Sequence, residues 1–331
     1  MHKHTLIIAE AGVNHNGRID LAYQLVDAAK AAGADCVKFQ TYITENDTSK
    51  FCEKAEYQKK KMEENQYDML KKLELSFEDF VNLKQYCEKK EILFLSTPFD
   101  IESAKFLESI HMPVWKVASS EIENFQLLRY IGKTHKKVIL STGMCGMEEI
   151  KAAVQTLQFF GTEEISILHC NTEYPTPMED VNLKAMISIA EQFRCEVGYS
   201  DHTEGIEVPI AAVAMGAQII EKHFTLSRAM DGPDHRASLE PGELKAMVDA
   251  IRNIEKAIGD GKKEVSNSER KNLIAARKSL VAKKYIKRGE TFTEDNIIAK
   301  RPGGGINPMR WNEIIGMVAK KDFKEDEMIT L

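Results

Sequence analysis

No apolar run in the 331-residue chain approaches the ~20 residues that a bilayer-spanning helix needs, so a membrane protein is not expected. The apolar stretch within the N-terminal MHKHTLIIAEAGVNHNG is too short for a secretory signal, and charge follows it at once. Positive charge is in deficit. With 45 Lys and Arg against 51 Asp and Glu, the net charge is −6, which argues against a nucleic-acid binder, whose footprint is a basic face. The six cysteines, Cys36, Cys52, Cys87, Cys145, Cys170 and Cys195, form no CxxC pair and none falls after position 195. They read as reduced thiols, which fits a cytoplasmic protein.

What is present is an ordinary globular composition, 43% hydrophobic and 29% charged, arranged in a repeating order. Eight short apolar runs end in polar residues: LIIAEAG, CVKFQT, ILFLSTP, VWKVASSE, VILSTG, ISILHCN, EVGYSDH and IIEKHFT. Helical patterns such as LAYQLVDAAKAAGA and VPIAAVAMGAQ separate most of them. Strands alternating with helices imply a parallel sheet, and eight units in this length match a (β/α)8 TIM barrel. A doubly wound open sheet is the competing fold. It usually carries a glycine-rich turn after its first strand, whereas EAGVNHNG follows here. The longer gap from Thr41 to Glu91 holds a charged insertion, expected to form a loop and helix over the barrel mouth. A polar linker is expected over 261–280, after a barrel spanning 1–260, and a small, mostly β module over 281–331. The module carries a basic cluster in which Arg301, set before Pro302 and three glycines, stands out from an otherwise solvated face.

Strand C-termini line the active site of such barrels. Here they carry Glu10; Lys38 and Gln40; Ser96 and Thr97; Lys116, Ser119 and Glu121; Ser141 and Thr142; His169, Asn171 and Thr172; Ser200, Asp201 and His202; and Glu221, Lys222 and His223. Two or three lysines among serines and threonines suit an anion, most economically phosphate. His202 and His223 end consecutive strands, so their imidazoles can converge. Beside Glu10 and Asp201 they suit a divalent first-row ion such as Mn²⁺, although the pattern is less specific than HExxH. Phosphate, a divalent ion and carboxylates together suggest carbon–carbon bond formation on a phosphorylated substrate.

The segments IIAEAGVNHNG, VKFQT, STPFD, WKVASSE, LSTGM, LHCNTEYPTP, GYSDHT, EKHFTL, GPDHRASLEP and KRPGGG resemble the sialic acid synthase family along the whole chain. The resemblance implies condensation of phosphoenolpyruvate with an N-acylated mannosamine-type sugar and water, giving a nonulosonic acid and phosphate through C–O cleavage. N-acetylmannosamine is the expected sugar, with legionaminic or pseudaminic acid synthesis from a diacetamido-trideoxyhexose as the alternative. It also implies a barrel followed by an antifreeze-like (SAF) domain, and a domain-swapped homodimer in which Arg301 reaches the partner's sugar. By motif, His202 and His223 resemble metal ligands for Mn²⁺, with Mg²⁺ or Co²⁺ as substitutes, activating the sugar aldehyde. Lys38, Thr97, Lys116, Ser119 and Ser141 resemble the phosphoenolpyruvate contacts, which Asn171 or Thr172 completes. Gln40, Tyr174 and Asp234 resemble sugar contacts. Glu10 resembles a carboxylate at the sugar end, and Glu221 one that positions water. The KAEYQ insertion, Lys54 to Gln58, does not separate the sugar classes. An octulosonate-phosphate-type synthase, a class II aldolase, and a non-catalytic sugar-binding or regulatory barrel are the other readings weighed. The SAF-like tail opposes the first, and the retained histidines and lysines oppose the last.

Overall fold

The computed structural model describes residues 4–52 and 65–331, so Lys54 to Gln58 lie outside the described residues. The chain divides into two units, Met1–Asp260 and Gly261–Leu331.

In the first unit all eight apolar runs are strands: β1 (Leu6–Gly12), β2 (Cys36–Thr41), β3 (Leu93–Pro98), β4 (Trp115–Val117), β5 (Val138–Ser141), β6 (Ile165–Cys170), β7 (Glu196–Asp201) and β8 (Ile219–His223). They form one sheet in the order β3-β2-β1-β8-β7-β6-β5-β4, and their ladders are parallel. β3 and β4 adjoin at the seam, so the sheet curls into a near-closed TIM barrel, as the alternation of strands and helices predicts. Both sheet faces are covered, which is why the strands are continuously apolar.

The helices form for local reasons. Ile19–Ala32 buries Ala22, Leu25, Val26 and Ala29, one helical face, and ends at Gly33, whose φ of 85° suits a left-handed cap. Phe77–Lys89 starts on a Ser76/Asp79 capping box. Within the insertion, helix Gln66–Leu73 is capped by Asn65. Its Met69 and Leu73 pack with Val13 and Tyr42, with Leu70 and Phe99 against them, as an apolar cluster apart from the main core.

The second unit contains an antiparallel pair, β9 (Ser279–Ala282) with β10 (Ile297–Lys300). Its own core includes Leu280, Ile286, Phe292, Ile314, Phe323 and Ile329. The stretch expected as a linker carries two short helices, Asn267–Arg270 and Asn272–Ala276. Arg301 belongs to this unit, where it is exposed and its Nε donates to the Ala276 carbonyl at 3.1 Å.

Gly198 on β7 marks how tightly the barrel closes. A Cβ there would stand 2.2 Å from the Ile219 carbonyl oxygen of β8 and 2.6 Å from Leu168 Cδ2. Neither strand can retreat without losing its ladder, so Gly198→Ala is expected to cost about 1–3 kcal/mol through overpacking. A urea or guanidinium midpoint equal to wild type would contradict this.

Candidate active site

The two-residue period of a strand decides which strand-end groups reach the barrel mouth. One parity of each strand faces inward and surrounds a cavity of ≈590 Å³, within the usual range for small-molecule sites. From the strand ends come Glu10, Lys38, Gln40, Thr97, Lys116, Ser141, Cys170, Ser200, His202, Glu221 and His223. Ser119, Thr172, Tyr174 and Asp234 join them from the loops.

The other parity faces away. Lys222 does not meet an anion in the cavity. Its side chain is fully buried and paired with Asp201, and its Nζ also donates to the Thr203 carbonyl at 2.6 Å. Asp201 in turn accepts from the Thr203 amide at 3.0 Å. Both residues are therefore excluded from the site that the triplet Glu221-Lys222-His223 suggested, because alternation sends the middle residue outward. Ser96 likewise bonds Thr41 at 2.7 Å, and His169 Nε2 lies 2.9 Å from the Val181 carbonyl. Asn171 is not among the residues lining the cavity; Thr172 is. The Asn171 side chain instead accepts from the Glu173 amide at 2.8 Å.

The floor is a chain of buried charges. Lys38 Nζ lies 2.8 Å from Glu10 Oε2 and 3.8 Å from Glu221 Oε2, and Lys116 Nζ lies 3.7 Å from Glu221 Oε1. Hydroxyls extend it: Lys38 donates to Thr97 at 3.2 Å and Lys116 to Ser141 at 2.6 Å, while Ser200 donates to Glu221 at 3.1 Å. Gln40 Nε2 donates to Glu10 Oε1 at 3.0 Å. Ser119 Oγ accepts from the Gly143 amide at 2.8 Å.

These neighbours separate the two carboxyls. Burial pushes Glu10 up to about 7, against the pull of Lys38 and with help from Glu221. Burial would raise Glu221 too, but Lys116 and Lys38 outweigh it and hold that carboxylate below its ordinary range. Burial lowers Lys116, with Glu221 opposing, whereas Glu10 and Glu221 outweigh burial at Lys38 and raise it. One carboxyl therefore stands near its proton-exchange point and the other stays charged.

Above the floor the rings of His202 and His223 lie 5.4 Å apart, with Tyr174 at 4.1 Å from the first and 5.5 Å from the second. His202 Nδ1 contacts the Asn171 carbonyl, which can only accept, so that nitrogen carries the proton and Nε2 presents its lone pair. Tyr174 OH sits 3.0 Å from Nε2. His223 Nδ1 is buried with no hydrogen-bond partner, 3.9 Å from Asp234 Oδ2. Burial lowers His202 to about 4 and drives His223 well down, so both imidazoles are neutral, the form that ligates a metal. Among the described residues no three His, Cys, Asp or Glu converge as a complete metal site. The two neutral imidazoles would suit a divalent ion if substrate or water supplied the remaining ligands.

An apolar wall of Val13, Tyr42, Met69, Leu70 and Phe99 faces the same cavity. Its Met69 and Leu70 come from the insertion helix and carry no chemical signature in sequence.

An eight-stranded barrel whose mouth gathers two buried lysines, two buried carboxyls and a pair of imidazoles has the layout of a TIM-barrel enzyme. Residues 25–263 match the NeuB family and residues 277–331 the SAF domain, and the chain belongs to the NeuB family. That family is of the sialic acid synthase type, which is generally metal-dependent. The N,N'-diacetyllegionaminic acid synthase of Campylobacter jejuni is 51% identical, covering 99% of both chains. A second N,N'-diacetyllegionaminic acid synthase, from Legionella pneumophila, is 44% identical over 94% of this chain and 89% of its own. The crystal structure of the N-acetylneuraminic acid synthetase of Leptospira borgpetersenii, bound to citrate, superposes with a TM-score of 0.72 at 37% identity, covering 82% of this chain and 90% of that one.

The outward Lys222–Asp201 pair makes a stability prediction separate from the chemistry. Lys222→Met strands a buried carboxylate and is expected to cost about 3–5 kcal/mol. Unfolding within ~0.5 kcal/mol of wild type, by denaturant titration, would show that the pair is not what satisfies Asp201.

Proposed function

We propose that the protein condenses phosphoenolpyruvate with 2,4-diacetamido-2,4,6-trideoxymannose and water, forming N,N'-diacetyllegionaminic acid and phosphate. The observation carrying the reaction class is the floor in which Lys38 and Lys116, flanked by Thr97, Ser141 and Ser119, share one cavity with the His202–His223 pair. Buried ammoniums with hydroxyl neighbours suit the phosphate and carboxylate of phosphoenolpyruvate. Thr172, rather than Asn171, is the residue we assign to complete that contact. The sugar assignment departs from N-acetylmannosamine because both legionaminic acid synthases are more similar to this chain than the sialic acid enzyme is. The apolar wall agrees with a sugar bearing a methyl group in place of a hydroxymethyl and an added acetyl group.

In this reading Gln40, Tyr174 and Asp234 hold the sugar's hydroxyl and acetamido groups. C3 of phosphoenolpyruvate attacks the C1 aldehyde carbon of the open-chain sugar. His202 and His223 would hold a divalent ion, Mn²⁺ or a substitute such as Mg²⁺ or Co²⁺, which supplies Lewis-acid stabilisation of developing charge on the aldehyde oxygen. Glu10, poised near neutrality, delivers the proton that turns this oxygen into a hydroxyl. Glu221, kept ionised, orients water toward C2. One water proton passes to Glu10, which has given up its own, and the resulting tetrahedral carbon expels phosphate by breaking the C–O bond; the remaining hydroxyl proton leaves with the phosphate and the 2-keto acid is left. Arg301 is proposed to reach the sugar across a domain-swapped homodimer, as the KRPGGG resemblance and the SAF match suggest. A cytoplasmic setting fits a protein in which, among the described residues, no helix is long and apolar enough to cross a membrane.

The test is phosphate release from phosphoenolpyruvate, with Mn²⁺ or with EDTA, offering each sugar separately. Expected is metal-dependent release with kcat/KM at least about tenfold higher for the diacetamido sugar, the scale on which apolar contacts discriminate. A preference for N-acetylmannosamine would move the product to N-acetylneuraminate, and release unaffected by EDTA would remove the metal.

A further inference from the structure

The segment Asn14-His15-Asn16 follows β1 and contributes no residue to the cavity lining, yet Asn14 and His15 are buried, Asn16 is half-buried, and both asparagines hydrogen-bond the chain that follows the neighbouring strand β8. That loop, 225–238, is pinched at its base: the Thr225 amide donates to the Leu239 carbonyl and the Leu239 amide to the His223 carbonyl, both at 2.9 Å. Asp234 sits near its C-terminal end, and among the described residues its carboxylate makes no hydrogen bond, reaching His223 Nδ1 only at 3.9 Å. Its position therefore depends on how the loop's backbone is held.

Two brackets hold it. Asn14 Nδ2 donates to the Phe224 carbonyl at 2.8 Å and to Ser238 Oγ at 3.0 Å, and Ser238 Oγ donates to the Asp234 carbonyl at 2.6 Å. Asn16 Nδ2 donates to the Asp231 carbonyl at 2.9 Å. Because that carbonyl can only accept, the Asn16 amide is oriented, and its Oδ1 faces His235 Nε2 at 3.0 Å. Nε2 must then carry the proton, and His235 Nδ1 accepts from Thr225 Oγ1 at 2.6 Å. His235, fully buried, thus ties the base of the loop to Asn16 while standing next in sequence to Asp234. Asn16 adopts φ 52°, a left-handed conformation that asparagine tolerates better than most residues. The adjoining Gly17 leaves no room for a side chain, since a Cβ would lie 2.3 Å from the Lys72 carbonyl.

We infer that this segment is a clamp that sets the Asp234 carboxylate at the sugar end of the cavity, and that Asn16 and His235 are positioning residues for the sugar. The inference rests on the reading of Asp234 as a sugar contact. Asn16→Gly is the clean variant, because glycine keeps the φ 52° backbone while removing the amide. Thr225→Val, which removes the hydroxyl facing His235 at the same volume, is the second.

Steady-state kinetics would use the acylamido sugar that wild type turns over, varied against phosphoenolpyruvate. Each variant should lose about tenfold or more in kcat/KM for the sugar, since a misplacement of about 1 Å can cost ~10²-fold. KM for phosphoenolpyruvate should stay within about twofold. Loss of both substrates in proportion would reduce the clamp to scaffolding, and unchanged sugar kinetics in folded protein would remove it. Asp234→Asn separates the two layers. If it leaves sugar kinetics intact, the reading of Asp234 itself fails. If it is impaired while Asn16→Gly and Thr225→Val are normal, only the clamp fails.

Discussion

The structure turns on one buried electrostatic arrangement, the run Glu10–Lys38–Glu221–Lys116 across the floor of the barrel mouth. Each group is almost wholly shielded from solvent, and removing an isolated charge from water costs several kcal/mol. The alternation of sign makes the burial tolerable. It does not make it favourable, because well-packed apolar residues would often serve stability as well or better. The cluster is thus most simply understood as a cost borne for binding and chemistry. The neighbouring strands β2, β1 and β8 hold Lys38, Glu10 and Glu221, and β4 holds Lys116, so ladder hydrogen bonds rather than flexible loops fix their spacing. In the proposed reading, a trianionic guest such as phosphoenolpyruvate would meet ammoniums already desolvated and oriented.

Strand alternation divides the remaining polar groups between two tasks. Inward positions of β7 and β8 carry Ser200, Glu221 and His223, with His202 just past the end of β7, while the outward positions carry Asp201 and Lys222. The outward pair braces the same two strands that present the imidazoles. Polar residues in consecutive positions thus do different work one residue apart: one set faces a guest, and the other satisfies itself within the protein.

This division also marks what could be read from sequence. All eight strands were legible because each is a short apolar run bounded by polar residues, and the runs are separated by helical periodicity. The inward residues were legible as strand ends, but strand ends alone overcounted. Lys222, Asp201, Ser96 and His169 face away, and alternation in EKH and SDH was the available signal. Asn171 was equivocal because the loop after β6 has no fixed parity. The apolar wall of Met69 and Leu70 gave no cue, since these residues look like any amphipathic helix until the insertion is seen at the mouth. The bond between Asn16 and His235 joins residues 219 positions apart, and no local pattern announces such a contact. The choice between sugars was likewise not legible in motifs shared by the whole family; it came from similarity to proteins of narrower function.

In the proposed reading the Lys38–Lys116 floor is the phosphoenolpyruvate site. The most direct measurement is a crystal structure with phosphoenolpyruvate bound, without sugar. Expected are the phosphate and carboxylate in contact with Lys38 and Lys116, within reach of Thr97, Ser119 and Ser141, and the methylene carbon directed toward the two histidines. Phosphoenolpyruvate bound elsewhere in the cavity, with both lysines still engaged only by Glu10 and Glu221, would contradict it.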